Sequence, residues 1–125
     1  MKHLRKYNES NDIDSEYITM CFINFIDEGA EYEDYDTIKD IMSSYTKTDF
    51  EILFQIFIDI PILNFDDFEG SFDELKVKVD NTLKQYTDTL DLIESAVEKV
   101  KIKYKDAYAI VIPESNDCIS IEIRR

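Results

Sequence analysis

The first candidates for chemistry are the side chains that could act as a nucleophile or a general acid. Cys21 lies on an apolar helical stripe, and Ser71 occupies the first position of a Ser-x-x-Glu helix cap. Asp59 lies between two isoleucines, but the alternation of its strand places it on the more polar side. The only histidine, His3, lies in a polar leader, so neither nucleophile has an imidazole base nearby. We therefore expect that the protein is not an enzyme.

The sequence also offers little for holding a metal ion or another cofactor. Residues 66–70, Asp-Asp-Phe-Glu-Gly, resemble part of a calcium loop. That alignment places Phe65 at the first ligand position and Lys76 at the bidentate position, where calcium needs carboxylates. The two cysteines, Cys21 and Cys118, and the single histidine are fewer than the four ligands of a zinc site. We expect no metal, no cofactor and two reduced thiols, with one disulfide as the alternative under oxidising conditions.

Carboxylates are abundant and unevenly distributed. The chain has 28 acidic and 14 basic residues, and residues 12–74 carry a net charge of −16 while residues 75–125 are neutral. A row of carboxylates can imitate phosphates, and aromatic residues between them provide anchors for a basic partner. We therefore predict a surface that binds a basic protein, formed by Glu28, Glu31, Glu33, Asp34, Asp36, Asp66, Asp67 and Glu69.

The same charge argues against other partners. A formal charge of −14 repels phosphate, so direct nucleic-acid binding is not expected. The longest apolar run, Ile52 to Leu63, contains Gln55, Asp59 and Pro61 and is too short to cross a bilayer. No apolar signal segment follows the N-terminus, so we expect a soluble, cytoplasmic protein. The alternative explanation of the acidic residues is that they only keep the protein soluble.

Helices must position much of this chemistry. Asp12 to Glu28 predicts a helix, capped by Asp12 or Asp14 and ended by Gly29. Ala30 to Asp36 is interpreted as a loop or an irregular edge, and Asp36 as the cap of a second short helix. Aromatic residues at 32–46 would also tolerate a strand, which leaves the structure of this segment open.

A long helix is predicted in the second half of the chain. It begins at a capping box led by Ser71, and apolar residues then recur every three or four positions from Leu75 to Tyr104. The weak helix formers at Thr87–Thr89 predict a break. This apolar stripe could pack on a sheet or on another copy, so a homodimer is compatible with the sequence.

Strict alternation predicts the strands. Phe50 to Ile60 places six large apolar residues on one face, and a hairpin follows near the C-terminus, with Pro113 closing its first strand at Ile112. The sequence thus predicts an α+β fold, a small antiparallel sheet of two to four strands covered by the long helix and the N-terminal helix. Residues 1–11 are interpreted as a flexible basic leader, and residues 12–125 as a single domain.

The opening residues Met-Lys-His-Leu-Arg-Lys-Tyr-Asn-Glu-Ser resemble the start of many small proteins of large tailed, T4-like bacteriophages. Such leaders are basic and end in an aromatic residue, a variable residue and Glu, after which they are cut. The resemblance implies cleavage after Glu9, although the polar Asn8 stands where an apolar residue is common. It covers only the leader.

Small acidic phage proteins are similar, as a class, to inhibitors of host defence, which include anti-CRISPR proteins and DNA mimics. This resemblance implies an acidic face that is steered into the basic groove of a nucleic-acid-handling protein. Two alternatives remain open. The chain could be an immunity protein that neutralises a toxin nuclease, or an internal or structural virion protein that assembles through its long helix.

Overall fold

The computed structural model describes residues 13–42 and 50–125. Their elements are α1 (Ser15–Cys21), α2 (Ile23–Asp27), β1 (Glu31–Asp34), α3 (Tyr35–Met42), β2 (Ile52–Asp59), α4 (Phe72–Lys103), β3 (Tyr108–Ser115) and β4 (Cys118–Arg124). The predicted leader at 1–11, cleavage after Glu9 and the alternative cap Asp12 lie outside the described residues.

The strands form one antiparallel sheet in the order β1-β2-β4-β3. In the central pair Ile56 lies opposite Ile121, and the two edges continue this row with Tyr32 and Val111. The predicted α+β class is therefore confirmed, with the sheet at the upper limit of two to four strands.

The N-terminal helix is divided into two short helices. Asp14 caps α1, because its Oδ1 accepts a hydrogen bond from the Tyr17 N–H at 3.0 Å. Phe22 interrupts the helix with φ −106° and ψ 15°, so one continuous helix over residues 12–28 was wrong. Gly29 ends the pair at φ +97°, a conformation that favours glycine.

The acidic segment after Gly29 is an edge strand, which agrees with the strand left open for residues 32–46 and not with the loop that its composition favours. Glu31–Asp34 forms β1, and the Tyr32 ring stacks on Phe54 with centroids 5.7 Å apart. Pairing with a neighbouring strand and this ring contact outweigh the low strand propensity of Glu and Asp. The cap of α3 is Asp34 and not Asp36, since Asp34 Oδ1 accepts from the Thr37 N–H at 3.1 Å.

A β-bulge changes the alternation at the start of β2. The register shifts between Ile52 and Phe54, and the extra residue, Leu53, is fully buried in the core. Strict alternation over Phe50 to Ile60 would place Leu53 on the opposite face from Phe54. One inserted residue reverses the alternation locally, and sequence periodicity alone does not reveal it.

The long helix α4 is capped as predicted but is not broken. Ser71 Oγ accepts from the Glu74 N–H at 3.1 Å, and the helix then continues to Lys103. The predicted break at Thr87–Thr89 is wrong, because the helix runs through both threonines. Their hydroxyls donate to carbonyls four residues earlier, at 3.0 and 2.9 Å, and do not compete for the backbone N–H groups.

The C-terminal hairpin is longer than predicted. Pro113 does not close β3, which continues to Ser115 with Pro113 opposite Ile119. A proline is tolerated here because β3 is an edge strand, where one side of the backbone needs no partner strand.

The core lies between one face of the sheet and the helices. Alternate residues of β4, Ile119 to Ile123, pack with Val100 from the end of α4. Phe22 reaches the same cluster, and its ring stacks on Phe54 with centroids 4.9 Å apart. The N-terminal helices and the last third of α4 therefore cover one face.

Two residues in one sheet row test this assignment of the core. Ile121 is fully buried, whereas Val111 beside it is 52% exposed. We expect Ile121→Ala to lower the free energy of unfolding by about 2–5 kcal/mol, because it leaves a cavity. Val111→Ala, the control, is expected to cost less than about 1 kcal/mol. Urea unfolding measures both, and equal losses would contradict the burial of Ile121 at the centre of the sheet and the exposure of Val111 at its edge.

Candidate protein-binding site

The second face of the sheet carries carboxylates beside apolar side chains. Residues that pair across antiparallel strands point to the same side. The register therefore gives two rows on this face, namely Glu31, Phe57, Ser120 and Ile112, and Glu33, Gln55, Glu122 and Ile110. Both rows begin with a glutamate of the edge strand β1 and end with an isoleucine of the opposite edge.

The centre of this face is buried and its polar groups are paired. Ser120 is fully buried, and its Oγ donates a hydrogen bond to Glu114 Oε1 at 2.8 Å. The Arg124 guanidinium donates to Glu122 Oε1 at 3.0 Å and lies 4.0 Å from the centroid of the Phe50 ring. Arg124 thus compensates the charge of Glu122 and leaves the carboxylates of β1 without that cation.

Further carboxylates meet at the end of the sheet near the hairpin turn. Asp59 of β2 lies opposite Cys118. Burial raises the pKa of the Cys118 thiol, and the negative charges of Asp59, Asp117, Glu114 and Glu31 raise it further. Four carboxylates from β1, β2 and the hairpin therefore lie near enough to one thiol to raise its pKa.

We call this surface the acidic patch and define it by Glu31, Glu33, Asp59, Glu114 and Asp117. A cavity of about 310 Å³ lies within it, lined by Glu31, Asp59, Cys118 and their neighbours. Another, of about 400 Å³, lies at the sheet edge between Tyr32 and Phe57, with Glu31 and Glu33 in its wall. None of the five carboxylates forms an ion pair with a residue that the structure describes.

The structure distributes the predicted site residues over two regions. Glu31 and Glu33 belong to the acidic patch, and the exposed side chains of Glu28 and Asp36 flank β1 on either side. Asp34 is engaged in the helix cap.

The second predicted group lies in the loop before α4. Its members, Asp66, Asp67 and Glu69, are all exposed. The loop is held on the helix by Lys78, whose Nζ lies 5.4 Å from the Phe68 ring centroid. Among the described residues, 13–42 and 50–125, no hydrogen bond or ion pair connects this loop to the acidic patch.

Sequence reasoning did not include Asp59, Glu114 and Asp117 in the site. They are distant from Glu31 in the chain and flank the ends of different strands. The strand β1 and the register of β2 on β4 would have been needed to place them together. The only signal was that Asp59 occupies the exposed phase of a predicted strand, which the structure confirms.

The candidate catalytic groups have structural roles or ordinary surroundings. Ser71 Oγ caps α4, and burial raises the pKa of the half-buried Cys21 thiol. No group of three His, Cys, Asp or Glu side chains among the described residues is arranged to hold a metal ion. Across the same part of the chain, no helix has both the length and the apolar character needed to span a membrane.

Comparisons with protein-family models, with curated proteins and with solved structures find no match to this chain.

The thiol of Cys118 can report the charge of the acidic patch. In a Cys21→Ser background, we expect Glu31→Gln together with Asp59→Asn to lower the Cys118 pKa. Because the thiolate is the reactive form, alkylation by iodoacetamide at a fixed, mildly alkaline pH should become faster.

The matched control removes two carboxylates from the loop, with Asp66→Asn and Asp67→Asn. It should leave the alkylation rate of Cys118 unchanged. An equal acceleration in both variants would show that total charge, and not the convergence at Cys118, controls the thiol.

Proposed function

We propose that this protein is a non-catalytic inhibitor that binds a basic nucleic-acid-handling protein through the acidic patch and blocks its nucleic-acid groove. The main support for this proposal is that five carboxylates, from β1, β2 and the C-terminal hairpin, lie on one surface. None of them forms an ion pair with a basic residue that the structure describes. Unpaired like charges repel one another, so a basic partner gains electrostatic attraction when it neutralises them.

The sheet supports this binding because it holds the carboxylates in place. Glu31 and Glu33 are two residues apart on a paired strand, so they point to the same side of the sheet at a fixed spacing. The backbone of β1 is therefore already ordered before a partner binds. A partner with basic residues at a matching spacing would bind without the entropic cost of ordering this strand.

Aromatic side chains beside the patch favour arginine as the partner residue. Tyr32 is 41% exposed, and Phe57 is half-buried on the other side of the edge strand. A guanidinium in the cavity between them would stack on a ring and donate hydrogen bonds to Glu31 or Glu33. Nucleic-acid-binding grooves are rich in arginine, since they contact phosphates.

The resemblance of the leader to phage proteins suggests the biological setting of this proposal. The inhibitor would be phage-encoded and directed against a host defence system of the anti-CRISPR or anti-restriction kind. It would act in the host cytoplasm, and the two free cysteines are usual for proteins of that reducing compartment.

Affinity capture from host lysate, with washes at low and high salt, tests the proposal. We expect recovery of a basic nucleic-acid-binding protein that is lost at high salt, because exposed charges are screened. Added double-stranded DNA or RNA should compete for the isolated partner. The triple variant Glu31→Gln/Glu33→Gln/Asp59→Asn should lose the interaction.

The control variant Asp66→Asn/Asp67→Asn/Glu69→Gln removes the same number of charges from the loop and should still bind. Binding that survives loss of the patch, or that is lost equally in both variants, would refute the acidic patch as the binding surface. A captured partner that binds nucleic acid and this protein at the same time would refute the blocking mechanism.

A further inference from the structure

The edge strand β1 offers backbone groups as well as carboxylates. It stands at one end of the sheet order β1-β2-β4-β3, so only one side of its backbone pairs with another strand. Glu31 and Tyr32 are exposed, and a cavity of about 400 Å³ lies at this edge between Tyr32 and Phe57. An edge of this kind is a template for a further strand. What can pair there depends on which backbone groups of β1 face outward.

The hydrogen-bonding phase of the sheet identifies the outward groups. Residues of an antiparallel ladder direct their N–H and C=O groups alternately to one neighbour and to the other. The Ile60 N–H donates to the Asp117 carbonyl at 2.9 Å, so every second residue before Ile60 in β2 bonds towards β4. The residues between them therefore bond to β1, and they lie opposite Glu31 and Glu33. Tyr32 consequently directs its N–H and C=O away from the sheet.

The opposite edge of the sheet agrees with this phase. By the same alternation the backbone nitrogen of Pro113 in β3 faces outward, since Pro113 lies opposite Ile119 and Ile119 bonds to β2. A proline is tolerated at such a position because no N–H is needed there. In the part of the chain that the structure describes, no backbone group pairs with the outward side of Tyr32. The outer edge of β1 therefore keeps an open donor and an open acceptor.

The side chains of β1 select the charge of an added strand. A residue opposite Glu31 or Glu33 points to the same side as these carboxylates, and a residue opposite Tyr32 points to the other side. Glu31 and Glu33 occupy the non-hydrogen-bonded positions of the new pair, where facing side chains are closer. Glu28 and Asp36 flank the strand and are exposed. An acidic strand, including β1 of a second copy, is repelled at this edge, whereas a basic strand is attracted.

We propose that the partner of this protein adds an extended, basic segment to β1 as a further antiparallel strand of the sheet. This mode of recognition rests on the function proposed above, since it specifies how the basic partner is held. The segment carries two arginines at alternate positions, opposite Glu31 and Glu33, with an apolar residue between them opposite Tyr32. Its backbone exchanges two hydrogen bonds with Tyr32 and accepts a third from the Asp34 N–H, which faces outward by the same alternation.

NMR titration of the isotope-labelled full chain with synthetic peptides at low salt tests this inference. The probe is acetyl-Thr-Arg-Val-Arg-Thr-amide. Methylation of the valine nitrogen removes the N–H that donates to Tyr32, and we expect it to raise the dissociation constant about tenfold. The matched control is methylation of the second arginine nitrogen, whose N–H faces away from β1, and it should leave the dissociation constant unchanged. The isomer acetyl-Thr-Arg-Arg-Val-Thr-amide should bind more weakly, because one of its arginines faces the side of Tyr32.

Amide hydrogen exchange distinguishes strand addition from attraction between side chains alone. Binding of the probe should slow exchange of the Tyr32 N–H, because this group gains an acceptor. The Glu33 N–H is the internal control, since it is already bonded to β2, and its exchange should change much less.

Three outcomes would each overturn strand addition: no binding of the probe at the highest soluble concentration, equal effects of the two methylations, or unchanged exchange of the Tyr32 N–H in the complex. The proposed function is tested separately by capture from lysate. If the probe binds and is lost with Glu31→Gln/Glu33→Gln, but without these backbone effects, strand addition is wrong and the acidic patch remains the binding surface.

Discussion

The rings of Phe22 and Phe54 stack where the N-terminal helices meet the sheet, and the arrangement of the molecule depends on this contact. Phe22 lies at the break between α1 and α2, and Phe54 follows the bulge of β2. Both side chains are fully buried, and burial of a side chain of this size contributes roughly 1.5–3 kcal/mol. The contact fixes which face of the sheet is covered, and it therefore also decides which face carries the carboxylates.

Strand pairing is the second constraint. Glu31 and Glu33 belong to a segment with little intrinsic tendency to form a strand, and they are held extended because β1 pairs with β2. The same ladder places Asp59 opposite Cys118, beside the hairpin turn. The sheet thus brings carboxylates from distant parts of the chain together, and the repulsion among them is the reason that we assign this surface to a basic partner.

The long helix separates two kinds of surface. Its last third is part of the core and is tied to α1, where Lys103 Nζ lies 2.8 Å from Asp14 Oδ2. Its first 13 residues, 72–84, carry three acidic and three basic side chains, and its apolar side chains Phe72 and Leu83 are exposed.

Local chemistry in the sequence determined the α+β class, the Ser71 cap, the Gly29 stop and the strand at β2, because capping and alternation depend on near neighbours. It also determined the excess of carboxylates. Only the tertiary structure decided that Glu31–Asp34 is a strand, that Leu53 turns into the core and that Asp59 joins Glu31 near Cys118. These features depend on partners far away in the chain, and a single sequence does not encode such pairings as a local pattern.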